Sequence, residues 1–98
     1  MRNSTINVAG LTFLLADPNP HSAAIVQSIL RGFGATRIID VRTARDAMQV
    51  LADQKVDMLL CEPSLPDDGF ALVRSIRKPD SPCRTMPILA ISGDVYSV

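Results

Sequence analysis

Residues Val56 to Phe70 read V-D-M-L-L-C-E-P-S-L-P-D-D-G-F, and the fold turns on how this stretch is taken. Met58, Leu59, Leu60 and Cys61 form an uninterrupted apolar run inside a candidate strand, Val56 to Glu62. A run that short suits a strand buried on both faces, the habit of a parallel sheet covered by helices. It ends on a carboxylate, Glu62, and Pro63, Pro66 and Gly69 then break the chain. An acidic side chain at the carboxyl end of a buried parallel strand stands where open α/β sheets place their ligands. Glu62 can equally be a polar residue that ends a strand and faces water.

The flanking sequence repeats the pattern. Leu11 to Ala16 reads as a first buried strand that also ends on a carboxylate, Asp17. Asn19 and Pro20 make an N-cap and first-turn pair. Ala24, Ile25, Ile29, Leu30 and Phe33 recur at helical spacing, predicting a helix from Pro20 to Phe33 with Gly32 and Gly34 at its exit. Arg37 to Val41 is a second, β-branched strand. Thr43, with Asp46 three residues on, opens a second helix whose apolar stripe is Ala44, Ala47, Met48 and Leu51. Asp67 or Asp68 caps a third helix carrying Phe70, Leu72, Val73 and Ile76, with Arg74, Arg77 and Lys78 complementing its dipole. After a proline-containing loop, Ile88 to Ile91 is a fourth strand, closed by Ser92 and Gly93. Asp94 to Val98 can begin another helix.

Strand and helix alternate three times before that last strand, which predicts a parallel α/β sheet. In a flavodoxin-like, doubly wound sheet of order 2-1-3-4-5, the first and third strands are neighbours at the topological switch point. Asp17 and Glu62 then converge on one crevice, with Ser92 at the same end of the fourth strand. Converging carboxylates are the donors a hard cation such as Mg²⁺ takes.

Bulk properties narrow the function. The 98 residues allow one domain, and 47% apolar content makes it globular. Ten basic and ten acidic residues cancel, so no global field recruits nucleic acid or an anionic membrane. Four aromatics and no Trp offer no base-stacking surface. Two cysteines, Cys61 and Cys83, form no disulfide framework and point to reduced thiols in the cytoplasm. Val8 to Ala16 is apolar behind Arg2 but lacks a small-x-small cleavage site, and no stretch reaches membrane-span length. The lone His21 reads as a solvated residue, as do Arg37, Arg42 and Arg45. Gly32 and Gly34 follow a helix and so do not form a phosphate loop.

L-L-A-D-P-N-P, then L-L-C-E-P-S-L-P-D-D-G-F, then M-P-I-L-A-I-S-G, in this order, resemble the receiver domain of two-component response regulators. The resemblance covers residues 11–98, leaving 1–10 as a flexible leader. It implies that Glu62 holds the phosphoacceptor position, Asp17 the remaining half of an acidic pair whose other member is Ala16, and Ser92 the switch hydroxyl. The loop from Glu62 to Gly69 is one residue shorter than the family pattern. Set against that pattern, the fifth strand, its lysine and the last helix lack counterparts before Val98, so the order is 2-1-3-4 in a truncated domain.

The expected function is an atypical, non-phosphorylatable receiver that acts as a protein-interaction module, not an enzyme. A conventional phospho-acceptor is the alternative, and a small nucleotide- or flavin-binding domain a more distant one. Asp17, Glu62 and the Ser64 carbonyl would bind Mg²⁺ weakly or not at all. Partners would be a sensor kinase or other signalling protein, or a second copy. The homodimer would form through the fourth-strand edge at Ile88, Leu89 and Ile91, with apolar surface near Ile25 and Ile29 uncovered.

Overall fold

Alternating side chains along buried strands must serve two cores at once, and this sheet does so. The computed structural model describes residues 8–91. Four parallel strands, β1 (Thr12–Ala16), β2 (Arg37–Val41), β3 (Met58–Cys61) and β4 (Ile88–Ala90), lie in the order β2-β1-β3-β4. Between them run α1 (Pro20–Gly32), α2 (Ala44–Asp53) and α3 (Gly69–Ile76). The fold is flavodoxin-like α/β, as the alternation predicts. On one face Leu14, Ala16, Leu59 and Cys61 pack with Ala44 and Ala47 of α2 and Leu72 and Ile76 of α3. On the other, Phe13, Leu15 and Leu60 pack with Ala23, Val26 and Leu30 of α1. Burying each large aliphatic side chain contributes about 1.5–3 kcal/mol.

The caps act as the sequence implies. The Asn19 side chain accepts from the His21 and Ser22 amides at 2.8 and 3.3 Å, and Thr43 Oγ1 accepts from Asp46 at 3.0 Å. Gly34 takes φ 102°, the left-handed geometry that lets the chain leave α1. Arg77 caps α3 and also donates to the Arg84 and Met86 carbonyls, both at 2.6 Å, pinning the loop into β4.

Several expectations need correction. The ladder of β3 begins at Met58, not Val56: Asp57 exchanges two 2.8 Å bonds with Thr12, its amide donating to the Thr12 carbonyl and its carboxylate accepting the Thr12 N–H. α1 buries Ala23 and packs the half-buried Val26 and Leu30 beside it, while Ile25 and Ile29 are exposed, in line with the uncovered apolar surface expected there, and Ala24 and Phe33 face outward with them. Met48 and Phe70, assigned to the inner stripes of α2 and α3, are exposed. Residues Val8–Gly10 form a 3-10 turn, with Val8 against the α1-side core and the Ala9 carbonyl accepting from the Thr36 hydroxyl. Ser92 and the segment from Asp94 lie outside the described residues.

Candidate functional site

Register alone brings the two acidic residues together. Ala16 pairs with Cys61 across β1 and β3, so Asp17 and Glu62 leave the sheet side by side. The Glu62 amide donates to the Ala16 carbonyl at 2.9 Å and the Asp17 amide to Val41 at 3.0 Å. Both residues are buried, at 3% and 7% exposure, although both are acidic. Buried carboxylates require hydrogen-bond donors. Asp17 Oδ1 accepts from the Asn19 amide at 2.9 Å, and Glu62 Oε1 from the Ser64 amide at 3.1 Å. Each carboxylate thus folds its own exit loop, and Asn19, set by Asp17, then caps α1.

Arg42 is a component of this end of the sheet that the sequence reading missed. Its guanidinium holds Asp40 through two bonds of 2.6 and 2.9 Å and reaches the Asp17 carbonyl at 3.3 Å. Gln27 of α1 donates to the same Asp40 at 3.0 Å. Arg42 is therefore tied into the β1–α1 junction, not part of a merely solvated cluster. An Arg two residues after an Asp on a strand was the only available signal.

The loop after Glu62 is held at two points. Gly69 is buried at the start of α3, where a Cβ would meet the Pro63 and Glu62 carbonyl oxygens at 3.0 and 3.1 Å. Asp68 caps α3 through the Ala71 amide from a left-handed conformation, φ 73°. Asp67 does something else: its carboxylate accepts from the Ala44 and Arg45 amides, 2.7 and 2.9 Å, at the start of α2. Those two bonds hold the Asp67 carboxyl below its usual pKa. Beneath the crevice, burial pushes the Cys61 thiol up to about 11, aided by the neighbouring Glu62 charge, so it is no nucleophile at neutral pH.

The predicted interface residues split across the sheet. Ile88 is half-buried on the α2–α3 side, Leu89 is exposed, and Ile91 packs on the α1 side with its amide bonded to Cys61.

A parallel sheet of order β2-β1-β3-β4 with two carboxylates at its switch point defines the class. The family model for the response regulator receiver domain matches residues 13–97. The chain belongs to that family, which places it in two-component signalling. Among solved structures it is similar to the MaeR response regulator bound to beryllium trifluoride, with a TM-score of 0.76 and 21% identity. That likeness covers 85% of this chain and 67% of that one. It is similar as well to the signal receiver domain of a signal transduction histidine kinase from Syntrophus aciditrophicus. There the TM-score is 0.76 and the identity 27%, over 84% of this chain and 61% of that one. No curated protein matches the sequence significantly.

Receivers usually bind Mg²⁺ at the acidic pocket, and the residues here fit it poorly. Among the described residues no three His, Cys, Asp or Glu side chains come together as a metal site. The position before Asp17 offers only the Ala16 methyl, fully buried in the α2–α3 core. One oxygen each of Asp17 and Glu62 is already bonded to a backbone amide. Mg²⁺ is usually held by one or two carboxylates with waters completing its octahedral shell.

Proposed function

We propose that this chain is a receiver domain that does not take up phosphate and works as a protein-interaction module. The observation that carries the reading is the acidic crevice itself, with Glu62 directly after β3 and the buried Ala16 preceding Asp17. Phosphoryl transfer relies on positioning and on a divalent ion that neutralises the transferred oxygens. Glutamate carries its carboxylate about 1 Å further than aspartate, and a misplacement of that size costs about 10²-fold in rate. Mg²⁺ binding is weak or absent for want of ligands. Glu62 itself supplies fixed negative charge where a phosphorylated receiver would gain it.

In this reading the domain has no enzymatic activity of its own and acts in the cytoplasm. No helix among the described residues is long and apolar enough to cross a membrane. The partner is a sensor kinase or another signalling protein, or a second copy that meets β4 at Ile88, Leu89 and Ile91. Among the described residues β4 stands at the edge of the sheet, and strand edges are where another chain can pair.

Titration with beryllofluoride and Mg²⁺, followed by amide NMR, tests the phosphate half of the proposal. The wild-type Asp17 and Glu62 amides should show no saturable shift, and Glu62→Asp should recover little because Ala16 remains. Saturable binding by the wild type would overturn it.

A further inference from the structure

We infer that the amino end of the sheet carries a docking cleft for a partner segment that sets a large apolar side chain beside a lysine or arginine. The inference rests on the reading that the domain is a protein-interaction module, and it assigns that module a surface. Two cavities adjoin there, of about 190 and 580 Å³, and they share Leu51, Ala52, Pro82 and Cys83 as walls. The smaller lies between α2 and α3, beside Met48 and Ile76. The larger runs from the end of α2 to Asp57 and Pro87, the residues just before β3 and β4. Asp17 and Glu62 stand at the opposite end of the strands. All the walls belong to residues 48–87, and β4 runs away from the cleft.

One wall, the loop of residues 78–87, is itself folded. The Ser81 amide donates to the Lys78 carbonyl at 2.9 Å, the Cys83 amide to Ser81 Oγ at 3.1 Å, and the Met86 amide to the Cys83 carbonyl at 2.9 Å. Arg77 holds the same loop from α3. A wall fixed in this way needs little further ordering when a ligand binds. The two cavities differ in chemistry. The smaller is apolar apart from Ser75 and Ser81. The larger offers acceptors: the Gln54 amide takes up the Val50 carbonyl, and those of Leu51, Ala52 and Asp53 end α2 without an intrahelical donor. The negative end of the helix dipole adds to them. Asp53 and Asp57 supply two carboxylates to the lining, and Lys55 is its one cation. The Lys55 side chain is 87% exposed, with its amine 3.9 Å from Asp57, so it offsets little of that charge. Asp53 meets only the neutral Gln49 amide, at 3.2 and 3.3 Å. An acceptor-rich, negatively charged wall matches a donor-rich cation, and the buried Val56 and Met86 give its alkyl stem apolar cover. Residues i and i+2 of an extended segment share a face, so an apolar and a basic residue at that spacing enter the two adjoining cavities together.

Amide NMR titration of the full chain with the blocked peptide Gly-Leu-Ala-Lys-Gly is the test. Saturable shifts should fall on the amides of residues 52–57 and 83–86 and leave those of Asp17 and Glu62 in place. Exchanging the peptide's leucine for alanine should weaken binding roughly tenfold, as loss of a buried aliphatic side chain does. In the protein, Asp53→Lys complements the end of α2 and so keeps the fold, yet it should weaken binding about fivefold, the scale of reversing one exposed charge. No saturable shift at these amides, or equal binding of a peptide with glutamate in place of lysine, would overturn the inference. Butylamine alone binding as tightly as the peptide would overturn it too, leaving a site for a small cation only. The parent reading fails separately, on saturable beryllofluoride binding at the other end of the sheet.

Discussion

Replacing Gly69 by alanine probes how tightly α3 is seated on the crevice. A Cβ at this position would lie 3.0 Å from the Pro63 carbonyl oxygen, 3.1 Å from that of Glu62 and 3.2 Å from the Pro63 Cα. All three are backbone atoms, so no side chain can swing away. Either the first turn of α3 or the loop after Glu62 must shift by a few tenths of an ångström. Overpacking of this kind costs about 1–3 kcal/mol. Alanine returns part of it, since restricting the unfolded chain is worth about 0.4–1 kcal/mol. The balance is a loss of about 1–2 kcal/mol, and for a domain of this size a melting point lower by about 5–15 °C. Urea and thermal denaturation of Gly69→Ala measure it, and the largest amide shifts should fall between Glu62 and Ser64. A variant that melts at or above the wild-type temperature would refute the close approach.

Two further outcomes follow from the same end of the sheet. The lowered Asp67 pKa means its two bonds to α2 stabilise the fold above the ordinary carboxylate value, near 4, and are lost as pH falls through the lowered value. Asp67→Asn should flatten that lowest part of the acid-unfolding curve, and an unchanged curve would contradict the contact. The buried Cys61 thiol, raised to about 11, should resist a thiol reagent at pH 8 while the half-buried Cys83 reacts. Rapid labelling of two thiols in the native protein would disprove this.

The sheet was legible because its strands are short apolar runs with breakers at each end, and parallel order follows from helices placed between them. Asp17 and Glu62 were legible for the same reason: each is the first polar residue after such a run. The facing of α1 was not. Its apolar residues occupy two overlapping stripes, Ala23-Val26-Leu30 and Ile25-Ile29-Phe33, and only the Gln27–Asp40 bond and the sheet beneath decide between them. Asp67 and Asp68 looked like equivalent caps of one helix, yet Asp67 serves a helix 23 positions earlier, a pairing that local spacing cannot reveal. Arg42 depended likewise on β1 and β2 lying side by side.

The reach of Asp67 to the start of α2 also sets how this part of the molecule opens. The loop that leaves Glu62 cannot lift without releasing the Ala44 and Arg45 amides, because both bonds end on one carboxylate. Those two protons should therefore exchange with solvent at rates governed by the opening of a loop more than twenty residues away in sequence. The α2 start and the β3–α3 loop then behave as one cooperative unit, with one free energy of opening between them. A partner that grips the loop would slow exchange at Ala44 and Arg45 without touching α2.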